Sequence, residues 1–297
     1  MTPKQRLNIL LADDGSQHAQ AAVEWLQSIS LLPKSHIFVF HAFHSGQVDF
    51  VPDFERSLER TKKQLSNLGY CVETELQLGH AAEKILEIAA ARTPDLIVLG
   101  AKGLRSTASI LLGGVAQHVV EYACCPVLIV RAPYHGFCRV LFATDGSMAS
   151  QSAAWYLGNF PFPDDVDLRL MHVLPPMQIP VRMEPYVGGA WQTVYAVARA
   201  PQEEEARRER ETKLGEALLM RTHYLLQKNG LEASPVLARG DAATEILDYT
   251  RDNQIDLLVA GSRGLSQFKS LWMGSVSRKL VHYSNCSILI VKEPGKE

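Results

Sequence analysis

Short runs of aliphatic and β-branched residues alternate along the chain with longer stretches whose apolar positions recur every three or four residues. Runs such as "DLIVLG" and "PVLIV" are almost wholly apolar, as strands buried on both faces of a parallel sheet must be. In the second half the pattern predicts strands over about 138–144, 166–173, 232–238, 256–261 and 286–292. Helices are predicted near 148–158, 201–229, 242–253 and 274–283. The helix opening at Pro201 carries Glu203, Glu204 and Glu209 four residues before Arg207, Arg208 and Lys213, which reads as a solvated face.

The same pattern is written twice. "ILLADDGSQHAQAAVEWL" returns as "VLFATDGSMASQSAAWYL", "IFVFHAF" as "LRLMHVL", and "LGHAAEKILEIAA" as "ARGDAATEILDYT". "PDLIVLGAKGL" returns as "IDLLVAGSRGL" and "CPVLIV" as "CSILIV". The offset is 131 residues from Asp14 to Asp145 and 161 from Gly100 to Gly261, so the second copy carries about thirty extra residues after its second strand. Two tandem doubly wound α/β units are expected, each a five-stranded parallel sheet flanked by helices. Their extents are 1–133 and 137–297, joined through the Pro- and Gly-containing linker 132–137. The insertion at 175–200, rich in Pro, Met and aromatics, reads as a lid, a partner surface or a packed loop. The apolar runs 126–131 and 287–292 read as edge strands that pair with each other within the chain.

Composition narrows the class. At 297 residues, 46% hydrophobic and 21% charged with net charge -2, the chain reads as a two-domain globular protein without a basic nucleic-acid surface. No apolar run approaches a membrane span, and the start of the chain does not resemble a secretory signal, so a cytoplasmic location is expected. The five cysteines show no CxxC pairing and predict neither a disulfide framework nor a zinc site; Cys124 and Cys125 read as ordinary buried residues.

Chemistry concentrates at two strand ends. In an open parallel sheet the ligand crevice lies at the carboxyl ends of the strands, where strand order reverses. Asp145 follows the first strand of the second unit, and Gly261, Gly264 and Gly274 surround the end of its fourth. The glycines are expected to let the backbone approach an anion, and Gly274-Ser275 opens a helix whose free N–H groups suit phosphate. Ser275 and Ser277 would add hydroxyl donors, and Asp145 would accept from ribose or a base amino group. His41 and His172, at equivalent strand ends, read as structural. Neither a Walker A loop nor a GxGxxG fingerprint is present, and no metal-binding cluster stands out.

With these residues in place, the sequence resembles the universal stress proteins in their tandem form, over nearly the whole chain outside 175–200. That family's ATP-binding pattern is G-x2-G-x9-G-(S/T), which Gly261, Gly264, Gly274 and Ser275 satisfy. The resemblance implies a fold like that of the adenine nucleotide alpha hydrolases. It implies ATP, with Mg as its accompanying ion, held by Ala143, Asp145 and Val173 at the adenosine end and by Ser275, Val276 and Ser277 around the phosphates, with Arg263 also among the binding residues. It also implies a stress-response or regulatory role, an intrachain pseudo-dimer able to associate into a homodimer, and a regulatory protein partner of unknown identity.

The first unit departs from the pattern. Asp14, Gly100, Gly103 and Gly113 match, but Gly114 replaces the hydroxyl residue and Ala116 replaces the counterpart of Ser277. Losing hydrogen bonds to charged oxygens, at roughly 1.5–3 kcal/mol each, marks this site as degenerate for polyphosphate. Two rivals stay open: a slow ATPase or nucleotidyl-transfer enzyme, and an interaction module that binds no nucleotide. Against the enzyme, no side chain stands out as a general base, and the HxGH and SGGxDS signatures of related families are absent.

Overall fold

The computed structural model describes residues 6–29, 31–103, 112–163, 165–177, 184–185, 191–192, 201–265 and 273–293. The first unit contributes β1 (Asn8–Ala12), β2 (His36–Phe43), β3 (Cys71–Leu78), β4 (Leu96–Gly100) and β5 (Val127–Val130). Its helices are α1 (Gln17–Ser28), α2 (Val51–Ser66), α3 (Ala81–Arg92) and α4 (Gly114–Tyr122), with a short 3-10 helix at Ser45–Phe50. The second unit repeats the order with β6 (Arg139–Ala143), α5 (Met148–Gly158) and β7 (Asp167–Leu174). Within the insertion, β8 (Glu184–Pro185) and β9 (Trp191–Gln192) form an antiparallel pair. The rest of 178–200 lies outside the described residues, so the insertion's expected roles fall largely outside them too. The unit continues with α6 (Pro201–Gln227), β10 (Ser234–Arg239), α7 (Ala242–Asp252), β11 (Leu257–Gly261), α8 (Ser275–Tyr283) and β12 (Ser287–Val291).

One ten-stranded sheet runs through both units in the order β10-β7-β6-β11-β12-β5-β4-β1-β2-β3. Within each unit the strands are parallel, and the first strand lies beside the fourth: β6 beside β11 and β1 beside β4. The crossovers leave β6 in one direction and arrive at β11 from the other, which creates the switch point. The two last strands pair antiparallel, Ile288 opposite Ile129 and Leu289 opposite Leu128. These strands read in the sequence as edges, and joining them turns two potential edges into the centre of the sheet.

The core follows from the apolar runs. Every residue of β5 and β12 is buried, and a hydrophobic layer on each face of the sheet extends through both units. Phe137, at the end of the linker, belongs to one of these layers and stacks on Trp25 with ring centroids 5.5 Å apart. The linker is thus packed into the junction between the units. Cys124 departs from its expected burial: the turn before β5 leaves it exposed, and Cys125 is half-buried. On α6, Lys213 pairs with Glu209 at 2.8 Å and Arg208 lies 3.8 Å from Glu204, as the charge spacing predicts.

Candidate functional site

The motif "DGS" builds the first wall of the site identically in both units. Asp145 Oδ1 accepts from the Ser147 backbone at 3.0 Å, closing an Asx turn, while Gly146 takes the left-handed φ of 78° that a side chain would resist. Ser147 then caps α5 by accepting from Ser150 N at 3.3 Å, and its hydroxyl donates to Arg263 O at 3.2 Å. Ser16 makes the corresponding contacts with Ala19 N and Lys102 O. The same serine therefore starts a helix and ties the loop after the first strand to the loop after the fourth. His172 Nδ1 lies 2.8 Å from Thr144 O and His41 Nδ1 lies 2.6 Å from Asp13 O. Both histidines brace the turn through a backbone carbonyl, in keeping with a structural role.

The glycine loop forms the second wall, and its glycines divide the labour differently from the sequence-based expectation. A Cβ at Gly261 would meet the backbone of α5, 2.8 Å from Ala149 C, so this glycine serves helix-to-strand packing. A Cβ at Gly264 would lie 2.8 Å from Asp145 Oδ2, so Gly264 makes room for the carboxylate. None of the three glycines Gly261, Gly264 and Gly274 lies among the residues of positive φ. Gly274 donates its N–H to Ser262 O at 2.8 Å, which fixes the start of α8 against the end of β11. Residues 266–272 between them lie outside the described residues.

Ser277 also departs from its expected role. It is buried, and its hydroxyl donates to Gly261 O at 2.8 Å. That bond holds α8 to β11 and occupies the hydroxyl hydrogen assigned to phosphate. Ser275 sits two residues earlier, at the first position of the helix. Among the described residues no side chain caps α8 at Gly274, and the orphan N–H groups of a first turn suit an anion.

These walls enclose a cleft of about 250 Å³ at the switch point. Asp145 and Ala143 line it from the end of β6, Val173 from β7, and Gly261, Arg263 and Gly264 from β11 and its loop. Gly274, Ser275, Val276 and Ser277 close it from α8, so all ten residues singled out in the sequence border one space. Met171, Ile246 and Leu280 add an apolar floor that motif reading missed. Their signal was periodicity alone, which marks them as core and cannot distinguish a core face from a cleft floor.

The first unit keeps a cleft of about 470 Å³ in the corresponding place, lined by Asp14, Gly100, Gly103 and Gly113 and also by Gly114 and Ala116. Gly103 again makes room for a carboxylate, a Cβ there falling 2.6 Å from Asp14 Oδ2. His44, Gln47 and His80 border this cleft and have no part in the motif. His80 stands where the second unit has Asp241, which caps α7 by accepting from Thr244 N at 3.0 Å.

Fold and site together define a tandem α/β protein with a switch-point cleft in each unit, one of which faces an uncapped, serine-bearing helix start. Residues 6–131 and again 136–292 match the profile of the Universal stress protein family. The chain belongs to the universal stress protein family, in a form that carries the family unit twice. A universal stress protein of Mycolicibacterium smegmatis is 23% identical over 308 aligned positions, covering 96% of each chain. A single-unit relative from Thermus aquaticus is 38% identical over 133 residues, 41% of this chain and 97% of its own. The solved universal stress protein of Archaeoglobus fulgidus superposes with a TM-score of 0.66 at 18% identity, covering 99% of this chain and 98% of its own, and so shares the fold. Among the described residues, no helix is long and apolar enough to cross a membrane.

Proposed function

We propose that the second unit, spanning about 137–297, holds ATP in the switch-point cleft and that nucleotide occupancy governs a stress-response or regulatory interaction in the cytoplasm. One observation carries this reading. Asp145, oriented by its Asx turn, and the serine-bearing start of α8 border the same cleft. A carboxylate suits the hydroxyl and amino groups of adenosine, and a helix start suits phosphate, so the cleft offers partners to both ends of a nucleotide. Ala143 and Val173 border the adenosine end and Met171 supplies apolar surface for a base. Ser275 and Arg263 stand with Val276 toward the phosphates. Among the described residues no three His, Cys, Asp or Glu side chains group as a metal site; the magnesium of this reading arrives coordinated to the phosphates.

The first unit, about 1–133, retains the cleft without the serine. Gly114 brings no hydroxyl and weakens the first turn of α4, so polyphosphate affinity there falls below that of the second unit. The regulatory partner is a protein that distinguishes the filled from the empty second cleft, and the paired units can associate further into a homodimer.

The test is to purify the chain without extensive dialysis, denature it, and quantify the nucleotides released. The expected result is one adenine nucleotide per chain. Release of none, together with no binding of added ATP at millimolar concentration, would overturn the reading.

A further inference from the structure

The turn that joins α4 to β5 carries two adjacent cysteines, Cys124 and Cys125. The corresponding turn of the second unit reads Asn285-Cys286, so one cysteine belongs to the repeated frame and the other is an addition. The frame cysteine is alike in both units. Cys286 is buried and Cys125 half-buried, and burial pushes both thiols up, that of Cys125 to about 12. Such a thiol does not react with solutes on its own. Cys124 differs because it is exposed.

Three features make this turn a chemical site. The two thiols stand close enough to act on each other: after burial itself, Cys124 is the strongest influence on the Cys125 thiol. Lys292 of the second unit reaches the same turn, its Nζ donating to Val120 O at 2.6 Å, and both thiols act on its ammonium. Below pH 8 that ammonium is charged and offers a cation to a thiolate, the form of cysteine that reacts. Both cysteines also lie outside α4 and β5, where the backbone can adjust without breaking a helix or a ladder. Cys71 and Cys138 are exposed as well, but neither has a cysteine beside it in the sequence.

We propose that Cys124 and Cys125 form a dithiol site that hydrogen peroxide oxidises to a disulfide within the turn. The Cys124 thiolate attacks one peroxide oxygen; the S–O bond forms as the O–O bond breaks, sulfur loses two electrons, and the displaced hydroxide takes a proton from solvent. The Cys125 sulfur then attacks the sulfenic sulfur of Cys124. The S–O bond breaks, and the departing hydroxide takes the Cys125 proton. In sum, two thiols and one peroxide give one disulfide and two waters. The exposed cysteine begins the sequence and the sheltered one ends it. Adjacent Cα atoms lie about 3.8 Å apart, below the roughly 4.4–6.8 Å of most disulfides. The closed ring is therefore strained and easily reduced, as a reversible signal must be. Among the described residues neither switch-point cleft is lined by a cysteine, so this input is separate from the nucleotide site.

The test exposes the full chain to a small excess of hydrogen peroxide at neutral pH and low protein concentration. Remaining thiols are then alkylated in denaturant and tryptic peptides are read by mass spectrometry. Residues 106–131 form one such peptide, which holds Cys124 and Cys125 and no other cysteine. The expected result is the loss of two hydrogens from that peptide, with Cys286 still a free thiol and both lost thiols restored by millimolar glutathione. Cys125→Ser should stop at a Cys124 sulfenic acid that dimedone traps, and Cys124→Ser should leave Cys125 a thiol. The parent chain decides the matter even where a variant fails to fold. The proposal is overturned if the parent keeps both thiols while Cys71 and Cys138 are oxidised. It is also overturned if the peptide gains oxygen without closing a disulfide, or is joined to a second chain instead.

Discussion

Arg131 and Lys292 occupy the same position in the two units, just past β5 and β12, and each reaches across the junction to the other unit's helix. Lys292 Nζ donates to Val120 O at 2.6 Å and Glu121 O at 3.2 Å, at the end of α4. Arg131 Nη2 donates to Val281 O at 3.2 Å, at the end of α8, and its Nε donates to Cys286 O at 3.1 Å. Helix ends carry orphan carbonyls, and these two side chains supply donors to them. Each unit thereby finishes a helix that belongs to the other, and Arg278 adds an ion pair to Glu121 at 2.8 Å across the same boundary. The helices finished in this way are the two whose starts face the switch-point clefts, so the junction steadies both clefts.

The reciprocal contact makes stability depend on pH in a calculable direction. Burial lowers the Lys292 ammonium from 10.5 to about 8, with Arg263 pushing the same way against opposing thiol and Glu121 contributions. Between pH 8 and about 10.5 the unfolded chain therefore binds more protons at this site than the folded one, and folding is favoured as pH rises. Below pH 8 both states are charged and the full desolvation cost is present. Urea unfolding of the parent chain and of Lys292→Met should show the parent gaining on the order of 2 kcal/mol relative to the variant between pH 7.5 and 10.5. A constant difference over that range would contradict the burial of the charge.

Substitutions along the glycine loop should separate into two kinds. Gly261→Ala places a Cβ against the backbone of α5, so it should cost about 1–3 kcal/mol of stability or more, read by unfolding without any nucleotide. At Gly274 the nearest atom to a new Cβ is Arg263 Cα at 3.4 Å, ordinary contact distance. Gly274→Ala should leave the melting temperature within a few degrees of the parent. The reverse order of stability would mean that Gly274 carries the packing.

Ser277→Ala removes a buried hydrogen bond to Gly261 O, at a cost of about 1 kcal/mol in stability. Ala116 fills the same place in the first unit, which shows that the helix packs without the hydroxyl. ATP affinity should change less than twofold in Ser277→Ala, and about tenfold or more in Ser275→Ala, by calorimetry. Equal losses in the two variants would return Ser277 to the phosphate.

The architecture was legible because it rests on patterns that survive without three-dimensional information. Apolar runs such as "SILIV" can only be strands buried on both faces, and the duplicated "DGS" fixes a turn and a helix cap through the hydrogen bonds of Asp145 and Ser147. What each glycine is for was not legible, because Gly261 is dictated by α5 and Gly264 by Asp145, partners more than a hundred residues away. Ser277 looked like a ligand because a serine in a first turn has the same spelling whether it faces the cleft or the strand. Cys124 looked buried beside an apolar run, although it lies in the turn before the strand. The cross-junction contacts of Arg131 and Lys292 gave no local signal at all, since they join the ends of elements from different units.

Calorimetric titration of ATP into the parent chain and into Gly274→Val tests the central claim most directly. A branched side chain at Gly274 intrudes where the uncapped start of α8 meets the cleft, while the strands are untouched. The parent should take up one ATP per chain, and Gly274→Val should lose affinity by about a hundredfold or more with its far-ultraviolet circular dichroism unchanged. Two equivalent sites in the parent, or undiminished ATP affinity in a folded Gly274→Val chain, would contradict a single nucleotide site in the second unit.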